Sequence, residues 1–194
     1  MVSTTASQTR IVVGLGNPGA KYVGTRHNVG FEVLNCLSRR MAAPTGKSKF
    51  DGQYVSVSVG EVALVLLWPL TYMNNSGRCA KATADFYKID AATAMLVVCD
   101  DLSLPIGKLR LRASGSAGGQ KGLQDILRVF GNQSVPRLRV GIGQPPPRWD
   151  AADFVLGRFA KDEVPAIEDA VEKAADAIVD WCNYDLNYCM NRIN

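Results

Sequence analysis

The sequence predicts one α/β domain, a mixed and largely parallel central sheet with helices on both faces. Three observations carry this. Residues Ile11–Val13, Val62–Trp68 and Met95–Cys99 are short apolar runs rich in branched side chains, the pattern of strands buried on both faces. Segments with apolar residues at helical spacing fall between and after them, and alternating strands and helices build a parallel sheet. The 194 residues, 47% hydrophobic, suffice to bury one full core.

Each element has its own signal. Residues 1–9 are polar and read as a flexible lead-in, so the domain is expected to span residues 10–194. Ile11, Val12 and Val13 make the first strand, which Gly14 ends. Val33, Leu34, Leu37 and Met41 recur at helical spacing, and Pro44 with Gly46 closes that helix. Residues 54–59 alternate polar and apolar, Gly60-Glu61 turns, and Val62 to Trp68 runs apolar up to Pro69, so a hairpin leads into a central strand. Asn75 or Ser76 is expected to cap a helix through Ala80, Ala84 and Phe86 to Lys88. Met95 to Cys99 is a buried strand ending at Asp100-Asp101, and residues 107–112 form a strand of period two. The loop from Ser114 to Gly119 leads to a helix with Leu123, Ile126, Leu127 and Val129, followed by a strand over residues 137–142. Gln144 to Arg148 is a rigid, proline-rich surface connection, and residues 163–181 form an amphipathic helix.

Composition narrows the function classes. Five cysteines without a C-x-x-C spacing argue for reduced core thiols rather than disulfides or a zinc site, and one histidine without clustered acids makes a metal site an unsuitable reading. The polar N-terminus lacks the apolar middle of a secretory signal, and no long apolar span follows, so the expectation is a cytoplasmic protein without membrane attachment. The expected state is a monomer, although no sequence feature decides it. Residues 1–160 carry 19 Lys and Arg against 10 Asp and Glu, whereas residues 161–194 carry 3 against 8. Such a basic body points to a polyanionic partner. Gly14, Gly16 and Gly19 spell G-x-G-x-x-G, but Pro18, Gly19 and Gly24 interrupt the stretch where a dinucleotide-binding helix would start, which argues against that site.

Asn17, Asn74, Asp100 and the Ser114–Gly119 loop each follow the carboxyl end of an expected strand, where ligands gather in such sheets. They could converge on His27. Imidazole titrates near neutral pH and suits a general base, and a buried carboxylate on its other nitrogen would fix its tautomer, for which Asp100 is the candidate. The plainer alternatives are a surface histidine and an aspartate that caps a turn. Asn17 and Asn74 could each donate an amide N–H to an oxyanion or a substrate carbonyl. No G-x-S-x-G elbow exists and Cys99 sits in an apolar strand, so water under general-base control fits better than a covalent nucleophile. Lys108, Arg110 and Arg112 should share one face of their strand as a phosphate rail. Arg137 and Arg139 should share a face of the next, with Lys21 and Arg26 beside His27. Tyr22 and Tyr72 could stack on a base.

The stretches GLGNPGAKYVGTRHNVGFEVL, TYMNNSG, DDLSLPIGKLRLR, GSAGGQKGLQDI and PRLRVGIG, in this order, closely resemble the bacterial-type peptidyl-tRNA hydrolases over residues 11–181. The resemblance implies hydrolysis of the ester between a peptide and the 3′ ribose of tRNA, without a cofactor. It implies His27 as general base, Asp100 as its partner, Asn17 as peptide ligand, and Tyr22, Tyr72 and Asn74 as substrate contacts, with Asn74 also placing water. Arg112 and Arg139 fall where the family clamps the tRNA 5′-phosphate. One departure stands out: many members read G-G-H-N-G where this chain has Gly118-Gly119-Gln120-Lys121-Gly122, so a substrate-contacting Asn becomes Lys121. A lysine still donates to a carbonyl or phosphate but accepts nothing, and its charge would oppose imidazolium formation. The competing readings are a non-catalytic RNA-binding protein of the same fold, such as a splicing cofactor, and a small-molecule esterase or amidase using the same pair.

Overall fold

The computed structural model describes residues 8–194. In chain order the elements are β1 (Thr9–Gly14), α1 (Val29–Arg40), β2 (Lys47–Lys49), β3 (Gly52–Val59), β4 (Val62–Pro69), α2 (Ser76–Tyr87), α3 (Ala91–Ala94), β5 (Met95–Asp101), β6 (Leu109–Arg112), α4 (Lys121–Phe130), β7 (Arg137–Gly141), α5 (Ala151–Leu156), α6 (Val164–Asn183) and α7 (Leu186–Ile193). One seven-stranded sheet runs in the order β2-β3-β4-β1-β5-β7-β6. The four central strands β4, β1, β5 and β7 are parallel, and the antiparallel β2-β3 hairpin and β6 form the edges. The expected α/β class, with a largely parallel sheet and helices on both faces, is the observed one. Residues 1–7 of the expected lead-in lie outside the described residues. Gln8 and Thr9 already pair with β4, where the Gln8 carbonyl accepts the Ala63 N–H at 3.1 Å.

Strand alternation sorts the core into two layers. Val12, Leu64, Leu66, Leu96, Val98 and Leu138 face α1, α5, α6 and α7, where Leu34, Phe154, Ile178 and Trp181 are buried. Ile11, Val13, Val65, Leu67, Val97 and Cys99 face α2, α3 and α4. The sheet therefore needs apolar residues at every central position, which is why its strands read as unbroken apolar runs. All five cysteines are buried and unpaired. Burial pushes the Cys99 thiol up to about 12, so it is inert in the core. No helix among the described residues is long and apolar enough to cross a membrane.

Two glycines of the first loop act through backbone clearance. A Cβ on Gly14 would lie 2.5 Å from the Gly30 carbonyl oxygen, and one on Gly16 would enter the Phe31 ring at 2.7 Å. They let α1 press against the end of β1, which brings the turn before α1 over the sheet edge. The expected caps of α2 are not used. A 3-10 turn, Met73–Asn75, runs straight into the helix, Asn75 makes no side-chain cap, and Ser76 Oγ donates back to the Met73 carbonyl.

Candidate active site

Three segments from the carboxyl edge of the sheet build the site. The loop after β1 carries Asn17, the loop after β4 carries Tyr72 to Asn74, and β5 carries Asp100 one residue before its end. His27 sits in a 3-10 turn, Arg26–Asn28, held from outside by the Thr25–Arg158 bridge and by the Arg26 N–H on the Gly157 carbonyl at 2.9 Å. A cleft of about 570 Å³ opens above them, lined by Asn17, Tyr22, His27, Tyr72, Asn74, Asp100 and Lys121 among others. Seven of the nine residues singled out from the sequence thus line one cavity.

At its floor His27 Nδ1 lies 2.9 Å from Asp100 Oδ2, with the two residues only 8% and 4% exposed. A carboxylate on Nδ1 selects the tautomer with hydrogen there, leaving the Nε2 lone pair for chemistry. The second Asp100 oxygen accepts the Gln120 amide N–H at 3.0 Å. Asn17 is clamped on both ends. Its backbone N–H donates to Asn28 Oδ1 at 2.8 Å, and its carbonyl accepts from Asn28 Nδ2 at 3.0 Å. Its side-chain oxygen accepts the Met73 N–H at 2.8 Å, which settles the amide orientation and leaves Nδ2 as a donor.

The remaining cations divide. Arg110 and Arg112 alternate with buried Leu109 and Leu111 and are exposed, with no side-chain partner among the described residues. Arg112 and Arg139 lie off the cleft on β6 and β7. Arg139 is only 12% exposed, donating to Asp101 Oδ2 at 2.9 Å and to the Ser116 carbonyl at 2.7 Å. Two arginines expected as possible phosphate ligands are structural instead. Arg137 is 1% exposed and donates to the Gly115 carbonyl at 2.7 Å. Arg26 is buried, pairs with Glu163 at 2.6 Å and lies against the Phe154 and Phe159 rings. Burial works against ionisation of Asp101, but hydrogen bonds from the Ser103 hydroxyl and backbone, together with Arg139, hold its carboxyl below the usual range.

A family model described as peptidyl-tRNA hydrolase matches residues 11–194. The chain belongs to the peptidyl-tRNA hydrolase family. The peptidyl-tRNA hydrolases of Rhodopirellula baltica and Syntrophomonas wolfei are 45% and 43% identical to it over 185 residues, 95% of this chain and 97% and 100% of theirs. The crystal structure of peptidyl-tRNA hydrolase from Acinetobacter baumannii superposes with a TM-score of 0.90 at 33% identity, covering 97% of this chain and 95% of that one. A 5′-methylthioadenosine nucleosidase from Arabidopsis thaliana, 8% identical with a TM-score of 0.56, shares the fold alone.

Within this peptidyl-tRNA hydrolase fold, sequence reasoning missed several parts of the site. Ala151, Ala152, Val155 and Leu156 of α5 line one wall of the cleft. The signal was Asp150, whose carboxylate caps the helix by accepting the Ala152 N–H at 2.7 Å. Asn28, the clamp on Asn17, stands next to the singled-out histidine without having been given a role.

Proposed function

We propose that this chain hydrolyses the ester between a peptide and the 3′ ribose of tRNA, with His27 as general base. The observation that carries the reading is the 2.9 Å contact of His27 with Asp100 at the floor of the cleft, in a chain of the peptidyl-tRNA hydrolase family. Water bound at Nε2 gives its proton to His27 as its oxygen attacks the ester carbonyl. Asp100 stabilises the imidazolium that forms. The proton then passes to the ribose 3′ oxygen as the carbon–oxygen bond breaks, releasing tRNA and a peptide acid. The Asn17 amide donates to the peptide carbonyl or its oxyanion, and exposed Asn74 places the water.

Tyr22 and Tyr72 offer rings to the terminal base, and Lys121 offers an ammonium to a carbonyl or phosphate. Arg112 presents a free guanidinium to the 5′-phosphate. A phosphate at Arg139 would join the Asp101 and Ser116 network rather than meet an unengaged cation. On this reading the protein works in the cytoplasm as a monomer. The intact His27–Asp100 pair favours hydrolysis over RNA binding alone.

The test is cleavage of N-acetylated aminoacyl-tRNA. Wild type should release free tRNA, and His27→Ala should lower kcat/KM by about 10² to 10⁴. Wild-type cleavage no faster than the variant's would overturn the reading.

A further inference from the structure

Gln120 is 6% exposed and stands at the N-cap of α4, where its side chain spans two jobs. Its Oε1 accepts the Leu123 N–H at 2.6 Å, and its Nε2 donates to Asp100 Oδ1 at 3.0 Å while touching Met73 Sδ at 3.2 Å. The amide cannot be turned over without setting its oxygen against Asp100 and its NH₂ against the Leu123 N–H. Asp100 is thereby gripped at both ends, by His27 Nδ1 on one oxygen and by Gln120 on the other. A continuous chain of contacts runs from the first turn of α4 through Gln120 and Asp100 to His27.

We propose that Gln120 is a positioning residue of this site, which fixes the Asp100 carboxylate and moderates its hold on the His27 proton. The proposal rests on the hydrolytic reading above and deepens it. A donor on a carboxylate favours the anion and satisfies part of its basicity, so the imidazolium is held less tightly than by a lone carboxylate. Because an amide does not titrate, it donates without a change of charge over the whole working pH range. The other titratable groups facing the pair are Tyr22, Tyr72 and Lys121 in the cleft, Cys99 and Asp101 on β5, with Arg139 pairing Asp101, and Arg26 with Glu163 behind the His27 turn.

Gln120→Glu separates positioning from capping. It keeps an oxygen for the Leu123 N–H but removes the donor to Asp100 and sets a second carboxylate against it. The acid limb of the kcat/KM profile on N-acetylated aminoacyl-tRNA should move up by about one pH unit or more, lowering activity on that limb roughly tenfold, and the buried pair of carboxylates should lower Tm more at neutral pH than in acid. Gln120→Met should move the limb the same way and also lower Tm through the lost cap. His27 is the only histidine in the chain. Its imidazole NMR titration therefore reads the same upward shift in either variant without substrate. An unmoved His27 titration in both folded variants overturns the proposal and leaves Gln120 a helix cap. A wild type that fails to cleave the substrate overturns the hydrolytic reading, and a shifted His27 titration in that case still upholds the coupling.

Discussion

Asn17 carries a division of labour that one substitution can expose. Its oxygen is spent on the Met73 N–H, and only its NH₂ is left for a substrate. Asn17→Asp keeps the acceptor and removes the donor, so Tm should change little while kcat/KM on the blocked substrate falls by about 10² to 10³. An equal loss in Tm and activity would instead mark Asn17 as a scaffold residue. At this scale the sequence was informative where chemistry singles a residue out. A lone histidine and an aspartate at a strand end are visible without coordinates. Gln120 and Asn28 were not, because an amide's role depends on what its two ends meet, and those partners lie 20 and 11 residues away. The arginines show the same limit. Arg26 and Arg112 look alike in the sequence, yet one is enclosed by two phenylalanines and a glutamate and the other is exposed.

Elements place those residues through close packing. A Cβ on Gly30 would come within 2.5 Å of both the Leu15 nitrogen and the Val98 carbonyl oxygen, backbone atoms that cannot swing aside. Gly30→Ala should therefore destabilise by about 1–3 kcal/mol in urea unfolding. This outweighs the ~1 kcal/mol that alanine gains in a helix. Since Gly30 follows His27 by three residues, the displaced turn should also lose activity. The end of β5 gives a pH-dependent counterpart. The Asp101 carboxyl titrates below its ordinary value, so its contribution is fully present above the unfolded pKa of about 3.9 and is lost as pH falls through the lowered one. Asp101→Asn should be less stable than wild type at pH 7, and the gap should close in acid; a gap independent of pH would show that charge plays no part. The strands β1, β4 and β5 were legible because burial on both faces demands unbroken apolar runs. Short elements escaped: β2 has three residues, all exposed, α3 four, and α5 six, too few to show a period.

Over the whole molecule the charge asymmetry takes on a location. Arg110 and Arg112 project from the β6 edge, to one side of the cleft, and α6 carries much of the acidic surplus as Glu168, Asp169, Glu172 and Asp176. Replacing Arg110 and Arg112 together by alanine should weaken tRNA binding at low salt and flatten the plot of log Kd against log salt by about two ion equivalents. An unchanged slope would place the RNA elsewhere. The parallel order β4-β1-β5-β7 has a further consequence, for the protein's own synthesis. A growing polypeptide is itself joined by an ester to tRNA, the bond this family's name describes. His27 leaves the ribosome long before Asp100, 73 residues later, and the two meet only once β5 has paired with β1. The topology keeps the proposed catalytic pair apart through the first half of translation, so the early nascent chain carries the histidine without its carboxylate.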